Sequence, residues 1–263
     1  MRLRAGVASD VGKVRQINED SYLSEADRGL FLVCDGMGGA ASGEVASRIA
    51  VQTIAQRLAE PPNGDEPGTG EHHFLPQTFR FAQAVRLANR AIFDQARVHA
   101  GQAGMGTTMV GVWLDQHIAS IAHVGDSRAY LFHDDQLERV TKDHSLVEAQ
   151  VQAGLLNREQ SLKSEHQNIL LRALGRDPGV EVELGEVPMQ AGDALLLCSD
   201  GLTRMVSDEA IAAALAAGRG DPQGVCDRLV AAANANGGPD NVTVIVVEIS
   251  KPLLGGVLGG LLG

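Results

Sequence analysis

Apolar residues in this chain fall into two rhythms, and the alternation between them divides it into elements. Residues 4–9, 21–24 and 30–34 are short strand-like runs. Val45, Ile49, Ile54 and Leu58 then recur at roughly helical spacing, with Ser42 placed as an N-cap. A Pro/Gly/acidic loop covers 60–71, and Phe81, Val85, Ala88 and Ile92 line one face of a second helix. Residues 107–114, 117–125 and 127–133 read as three strands, and the polar tetrad 133–136 as the turn into a fourth. A short helix over 145–154 leads into a polar, weakly patterned stretch, 155–168, expected to be a mobile loop or small helical flap. The last third predicts strands at 180–184 and 194–198, helices at 207–217 and 222–235, and a β-branched closing strand at 241–249. Strands and helices come in blocks rather than strict alternation, which predicts a layered α+β fold with largely antiparallel sheets.

At 263 residues the chain can bury a large core, and its 44% hydrophobic and 21% charged content is that of a globular protein. A net charge of −11 argues against a nucleic-acid partner, which needs a surplus of Lys and Arg. Cys34, Cys198 and Cys226 form no CxxC pair, and two sit inside apolar runs. That pattern predicts reduced thiols and a cytoplasmic setting. No apolar signal region opens the chain and no run is long enough to span a bilayer, so no membrane span is expected. The glycine- and leucine-rich stretch 251–263 is expected to be a disordered tail on a domain covering 1–250.

Two of the apolar runs end on a charge: "LFLVCDGMGG" at Asp35 and "ALLLCSDGL" at Asp200. Asp126 in "HVGDSR", Asp240 in "GGPDNVT" and Asp20 in "RQINED" also stand at the margins of apolar runs. Asp-Gly and Asp-Asn are turn formers, which accounts for any one of these sites alone. The set invites another reading. If the strands ending at Asp35 and Asp200 are neighbours, their carboxylates converge, and like charges so placed need a cation. Oxygen-only ligands select Mg²⁺ or Mn²⁺ rather than zinc, and Gly36 lets a backbone carbonyl approach as a further ligand. The histidines form no HExxH pair, and His123 reads as a core or supporting residue. Neither a GxSxG elbow nor a GxxxxGK[ST] loop is present.

The ordered series "RQINED", "VCDGMGG", "GTT", "HVGDSRAY", "DHS", "LLRALG", "SDGL" and "GGPDNVT" resembles the PPM family, the metal-dependent serine/threonine protein phosphatases of type 2C, in its compact bacterial form. The resemblance runs from about residue 5 to 249. It implies a four-layer α-β-β-α sandwich of two mainly antiparallel sheets, with two Mn²⁺ or Mg²⁺ ions at one end. Asp35 resembles the ligand bridging both metals, Gly36 the carbonyl ligand, and Asp200 and Asp240 the remaining metal carboxylates. Asp20 resembles the acidic residue that holds metal-bound water, and Arg15 the arginine that grips the substrate phosphate. Asp126 resembles the residue that shares a third, weaker ion with Asp200. The implied reaction is in-line attack on phosphoserine or phosphothreonine by a metal-activated water. Phosphorylated proteins, including a serine/threonine kinase, are the implied partners of a monomeric enzyme.

Two departures stand out: Met37 occupies the place where many eukaryotic relatives have a histidine acid, and "SEHQN" at 164–168 replaces a His-Pro-x-Arg-Asn flap pattern. The rival readings are a phosphatase of small phosphomonoesters on the same fold, a signalling module with a degenerate site, and a protein that binds partners through its tail. The second requires lost ligands, yet Asp35, Asp200 and Asp240 are present.

Overall fold

The structure is a computed structural model and describes residues 2–38, 42–61, 74–161 and 164–250. The tail at 251–263 and most of the 60–71 loop therefore lie outside the described residues. The chain opens with β1 (Arg2–Asp10), β2 (Asp20–Glu25) and β3 (Leu30–Met37), then α1 (Ser42–Ala59) and α2 (Pro76–Val98). A two-residue strand β4 (Gly106–Thr107) precedes β5 (Met109–Asp115), β6 (Ile118–Val124), β7 (Arg128–His133) and β8 (Gln136–Arg139). Next come the short helices α3 (Leu146–Gln152) and α4 (Arg158–Ser161), then β9 (Glu183–Pro188) and β10 (Ala194–Cys198). The chain closes with α5 (Asp200–Thr203), α6 (Asp208–Ala217), α7 (Pro222–Ala235) and β11 (Val242–Ser250).

The strands form two antiparallel sheets, ordered β1-β11-β10-β7-β8 and β2-β3-β5-β6-β9, with β4 paired to β3. Three apolar layers hold them. Along β3 the side chains alternate by face: Leu30, Leu32 and Cys34 meet α1 and α2 through Ala46, Ile54, Phe81, Val85 and Ile92. Phe31 and Val33 point the other way and pack with Leu195, Leu197, Ile245 and Val247 of the opposite sheet. That sheet's outer face, with Leu196, Cys198, Val244 and Val246, packs on Ile211 and Leu215 of α6 and Val225 and Leu229 of α7. Strands buried on both faces explain why these segments read as continuous apolar runs. The layering is the four-layer α-β-β-α sandwich that the family resemblance implied.

The largest departures from the expected strand boundaries are at β3 and β9. β3 does not stop at Cys34 but runs through Asp35 and Gly36 to Met37, because Gly36 and Met37 pair with Thr107 and Gly106 of β4. The strand expected at 180–184 begins only at Glu183 and continues to Pro188. Val182 is buried against the α1–α2 layer but lies outside the ladder. The expected flap contains α4, and the helices at 208–217 and 222–235 form as expected.

Candidate active site

The inter-sheet layer ends in carboxylates. Asp35 continues the face of Phe31 and Val33, so it emerges from the apolar layer at its rim. Its backbone is pinned: the Asp35 amide donates to Thr108 Oγ1 at 3.0 Å, and its carbonyl accepts from Thr107 Oγ1 and from the Thr108 amide, each at 2.8 Å. Asp200 comes from the other sheet, two residues past β10, as the first residue of α5. The strands bearing Asp35 and Asp200 are thus not neighbours in one sheet, the condition under which the sequence predicted convergence; the carboxylates meet across the sandwich instead. Asp240 lies in the loop before β11, and Asp126 follows β6. All four line one open cavity together with Arg15, Gly36 and Met37.

Arginine pairing neutralises this cluster only in part. Asp200 Oδ1 is buried with no donor on it. Burial, then Asp20, Asp200, Asp126 and Asp240, hold Asp35 well above the usual carboxylate range. Burial and then Asp200 push Asp126 up to about 8, against the pull of Arg204. Burial also raises Asp200. Such a set is short of positive charge.

Arg15 sits at the rim, half exposed, and grips Asp240 with both sides of its fork: Nη2 to Oδ2 and Nε to Oδ1, each at 3.0 Å. The 11–19 loop that carries it is stitched down by Asn241. This side chain donates to the carbonyls of Val11 at 3.0 Å and Ile17 at 2.9 Å, and accepts from the Glu19 amide at 2.8 Å. The acidic pair that ends "RQINED" divides into two roles. Glu19 lines the cavity, accepting from the Gly43 amide at 3.1 Å at the start of α1, and burial raises its pKa. Asp20 does not line it. Asp20 sits opposite Asp35 in the β2–β3 ladder, and its Oδ2 accepts from Ser199 Oγ at 2.8 Å and Thr243 Oγ1 at 2.7 Å on the other sheet. Burial pushes Asp20 up to about 7.

Beyond these residues lie two features that the sequence reading missed. Arg204, one turn after Asp200, forms an ion pair with Asp200 Oδ2, and its Nη2 is 3.8 Å from Asp126 Oδ2. His123, His144 and Glu183 also gather, their candidate ligand atoms all within 4.8 Å of one another. They come from separate segments, so no local motif could have revealed them. The Gly125 amide donates to His144 Nδ1 at 3.1 Å, which leaves the proton on Nε2, and that nitrogen donates to Glu183 at 2.9 Å. His144 is thereby committed as a bridge between the Asp126 loop and β9, not as an Nε2 metal ligand. Burial and then His144 push His123 down to about 4, so its ring stays neutral.

The family model described as protein phosphatase 2C matches residues 12–222. The chain belongs to the protein phosphatase 2C family. Over 252 residues it is 36% identical to the serine/threonine phosphatase stp of Listeria innocua, covering 94% of this chain and 96% of that protein. It is also 36% identical to the serine/threonine protein phosphatase PstP of Mycobacterium tuberculosis over 98% of this chain, and spans 48% of that longer protein. The crystal structure of that phosphatase superposes with a TM-score of 0.84, at 37% identity, covering 95% of this chain and 100% of the other. A second structure, the PstP catalytic domain in complex with two manganese ions, gives a TM-score of 0.82 at 36% identity, covering 95% of this chain and 99% of the other.

Family membership makes a pair of divalent ions the natural test of the protein phosphatase 2C cavity. Its lining offers the carboxylates of Asp35, Asp126, Asp200 and Asp240 and the backbone of Gly36, all hard oxygen donors, and Arg15 and Arg204 offset only part of that charge. The residues present therefore fit divalent metal. Among the described residues no helix is long and apolar enough to cross a membrane, and all three cysteines are free and buried.

Proposed function

We propose that this chain hydrolyses phosphoserine and phosphothreonine in proteins, using two Mn²⁺ or Mg²⁺ ions held by Asp35, the Gly36 carbonyl, Asp200 and Asp240. The observation that carries the reading is the convergence of Asp35, Asp200 and Asp240, from two sheets, on one open cavity with an arginine at its rim. The relatives named as serine/threonine phosphatases favour protein substrates over small phosphomonoesters. When bound, the ions supply a water of lowered pKa as nucleophile and fixed positive charge for the transition state.

The rest belongs to the chain. Arg15 exchanges its fork on Asp240 for two phosphate oxygens, which orients phosphorus for in-line attack. Glu19, fixed by the Gly43 amide, faces the same space and holds water by a hydrogen bond. Asp20 acts from beneath: it keeps Asp35 in place by tying β2 to Ser199 and Thr243. Met37 lines the cavity but its thioether donates no proton, so the leaving group is protonated by water. Asn168 and Leu170, at the end of the altered flap, border the cavity and meet the peptide around the phosphorylated residue. We place the enzyme in the cytoplasm, where its three buried thiols stay reduced, acting as a monomer on phosphoproteins that include a serine/threonine kinase.

The test is a comparison of kcat/KM on phosphopeptides and on phosphorylated metabolites with Mn²⁺ present. Higher efficiency on phosphopeptides, abolished by chelation, is expected. Full activity in metal-stripped buffer refutes the two-ion reading, and a preference for metabolites refutes the protein substrate.

A further inference from the structure

The protein phosphatase 2C resemblance places a third, weaker divalent ion between Asp126 and Asp200. In the structure that space already holds a cation. Arg204 Nη2 forms an ion pair with Asp200 Oδ2 and lies 3.8 Å from Asp126 Oδ2. The two carboxylates come from different sheets, Asp126 after β6 and Asp200 after β10, so a group that touches both spans the sandwich. Asp200 and Arg204 are one helical turn apart, and the Arg204 amide donates to the Asp200 carbonyl at 3.0 Å. The side chain is only a quarter exposed and lines the same cavity as the carboxylates.

We infer that Arg204 is the resident cation of the Asp126–Asp200 pair, and that a third divalent ion binds there only by displacing it. The inference rests on the two-ion reading of the neighbouring centre. An ion coordinated by both carboxylates at ~2.0–2.6 Å would sit where the guanidinium now is. Two like charges cannot share that space, so metal entry must break the ion pair and swing Arg204 outward. Because the arginine is tethered one turn from its partner, its effective concentration at the site stays high at any concentration of metal. A protein-borne charge also persists when metal is scarce, so the pair keeps one compensating charge in the two-ion enzyme. Met205, Val206 and the start of α6 follow Arg204 directly, so the swing is confined to its side chain unless that anchored segment moves too.

The experiment is equilibrium dialysis of Mn²⁺ against wild type, Arg204→Gln, Arg204→Lys and the double variant Arg204→Gln/Asp126→Asn, with circular dichroism to verify folding. Wild type is expected to take up two ions tightly and a third only weakly. Arg204→Gln removes the charge, keeps a polar side chain, and is expected to bind the third ion at least tenfold more tightly. Arg204→Lys keeps a tethered charge and should stay close to wild type. Adding Asp126→Asn should erase the gain. A second readout uses no metal: chelated Arg204→Gln should melt below chelated wild type, because its carboxylate pair has lost the cation that sits against it. Equal third-ion affinity in wild type and Arg204→Gln overturns the inference, as does a gain that survives Asp126→Asn, or one shared by Arg204→Lys. Should Arg204→Gln fail to fold, the Lys variant decides: third-ion binding at least tenfold tighter than wild type overturns the inference, and wild-type-like binding supports it. If wild type binds no Mn²⁺ at all, the two-ion reading falls and takes this inference with it.

Discussion

Gly43 sets two physical effects against each other, and the structure says which wins. It is the second residue of α1, where alanine should help: glycine costs a helix up to about 1 kcal/mol relative to alanine. Packing says the opposite. A Cβ at Gly43 would lie 2.7 Å from the Gly36 carbonyl carbon and 2.8 Å from the Met37 nitrogen. Ordinary contact begins near 3.4 Å, so the shortfall is about 0.7 Å against backbone atoms that cannot rotate aside. A third neighbour, Glu19 Oε1 at 2.5 Å, ends a side chain and can swing, but at the loss of its bond to the Gly43 amide. Overpacking of this kind costs about 1–3 kcal/mol, so Gly43→Ala is expected to be destabilising despite its better propensity. The displaced atoms belong to Gly36, whose carbonyl we assign to a metal. Since a misplacement of ~1 Å at a reacting centre costs about 100-fold, a shift of most of that size should cost at least ~10-fold in kcat/KM. Thermal melting, Mn²⁺ titration and phosphopeptide kinetics would read all three effects. Gly179→Ala, with nothing within 4 Å of its added Cβ, is the control and should change none of them. A Gly43→Ala protein as active as wild type, or stabilised by the propensity gain, refutes the argument that α1 is held against β3 by the absence of that methyl.

Arg15→Ala should leave Mn²⁺ affinity near wild type and lower kcat/KM about 10- to 100-fold, the range expected from one or two charged hydrogen bonds of ~1.5–3 kcal/mol; loss of metal along with turnover would move Arg15 from the phosphate to the ion site. Asp35→Asn should lose both Mn²⁺ binding and turnover, and wild-type metal affinity in calorimetry would remove Asp35 as the bridging ligand. Stability of the chelated protein should fall as pH rises from about 6.5 to 8. In that window Asp20 and Asp126, raised to about 7 and about 8, hold protons that the unfolded chain has already lost, so the folded state binds more protons and the slope is negative. His123, lowered to about 4, acts in the opposite direction, but only below about 6.5 where the unfolded imidazole charges. Melting with chelator and with Mn²⁺ would check this: the metal should flatten the slope, and a chelated protein that gains stability across the window contradicts the buried-carboxylate account.

The layered antiparallel α+β class was legible in the pattern of apolar runs, whereas the two-sheet sandwich was what the family resemblance implied, and burial of the strands on both faces accounts for both. A run such as 30–34 can be apolar throughout only if helices cover one side and a second sheet the other. What failed was the edge. β9 pairs on one side only, with β6, and its side chains are half-buried. It spends its polar residues on hydrogen bonds: Glu183 with His144, and Glu186 with Thr78 Oγ1 and the Leu75 amide. The apolar cue at Val180, Val182 and Leu184 therefore pointed three residues too early. At the site, Asp35 and Asp200 stood out because a charge closing an apolar run is conspicuous. Glu19 and Arg204 did not, since each is one charge among many in a polar segment, and only the fold shows which of them faces the cavity. Likewise the sequence could not show that Asp35 and Asp200 meet across two sheets rather than along one.

That crossing is what makes the site work as a mechanical object. Carboxylates on adjacent strands of one sheet would be held by the ladder whatever their charge. Here Asp35 belongs to one sheet and Asp200 and Asp240 to the other, so their repulsion acts directly to prise the sandwich open at that end. Phe31, Val33, Leu195, Leu197 and Ile245 resist this from within the layer. Immediately beneath the carboxylates, Ser199 and Thr243 resist it by donating from one sheet to Asp20 on the other. These two bonds gain strength as Asp20 ionises, and its ionisation is in turn favoured when nearby charge is neutralised. Cations bound at the rim would therefore reinforce the cross-sheet bonds below it: filling the site would lower the cost of ionising Asp20, and an ionised Asp20 would accept more strongly from Ser199 and Thr243 and steady Asp35 beside it. The acidic residue that ends "RQINED" is thus buried out of the cavity, and Glu19 lines it.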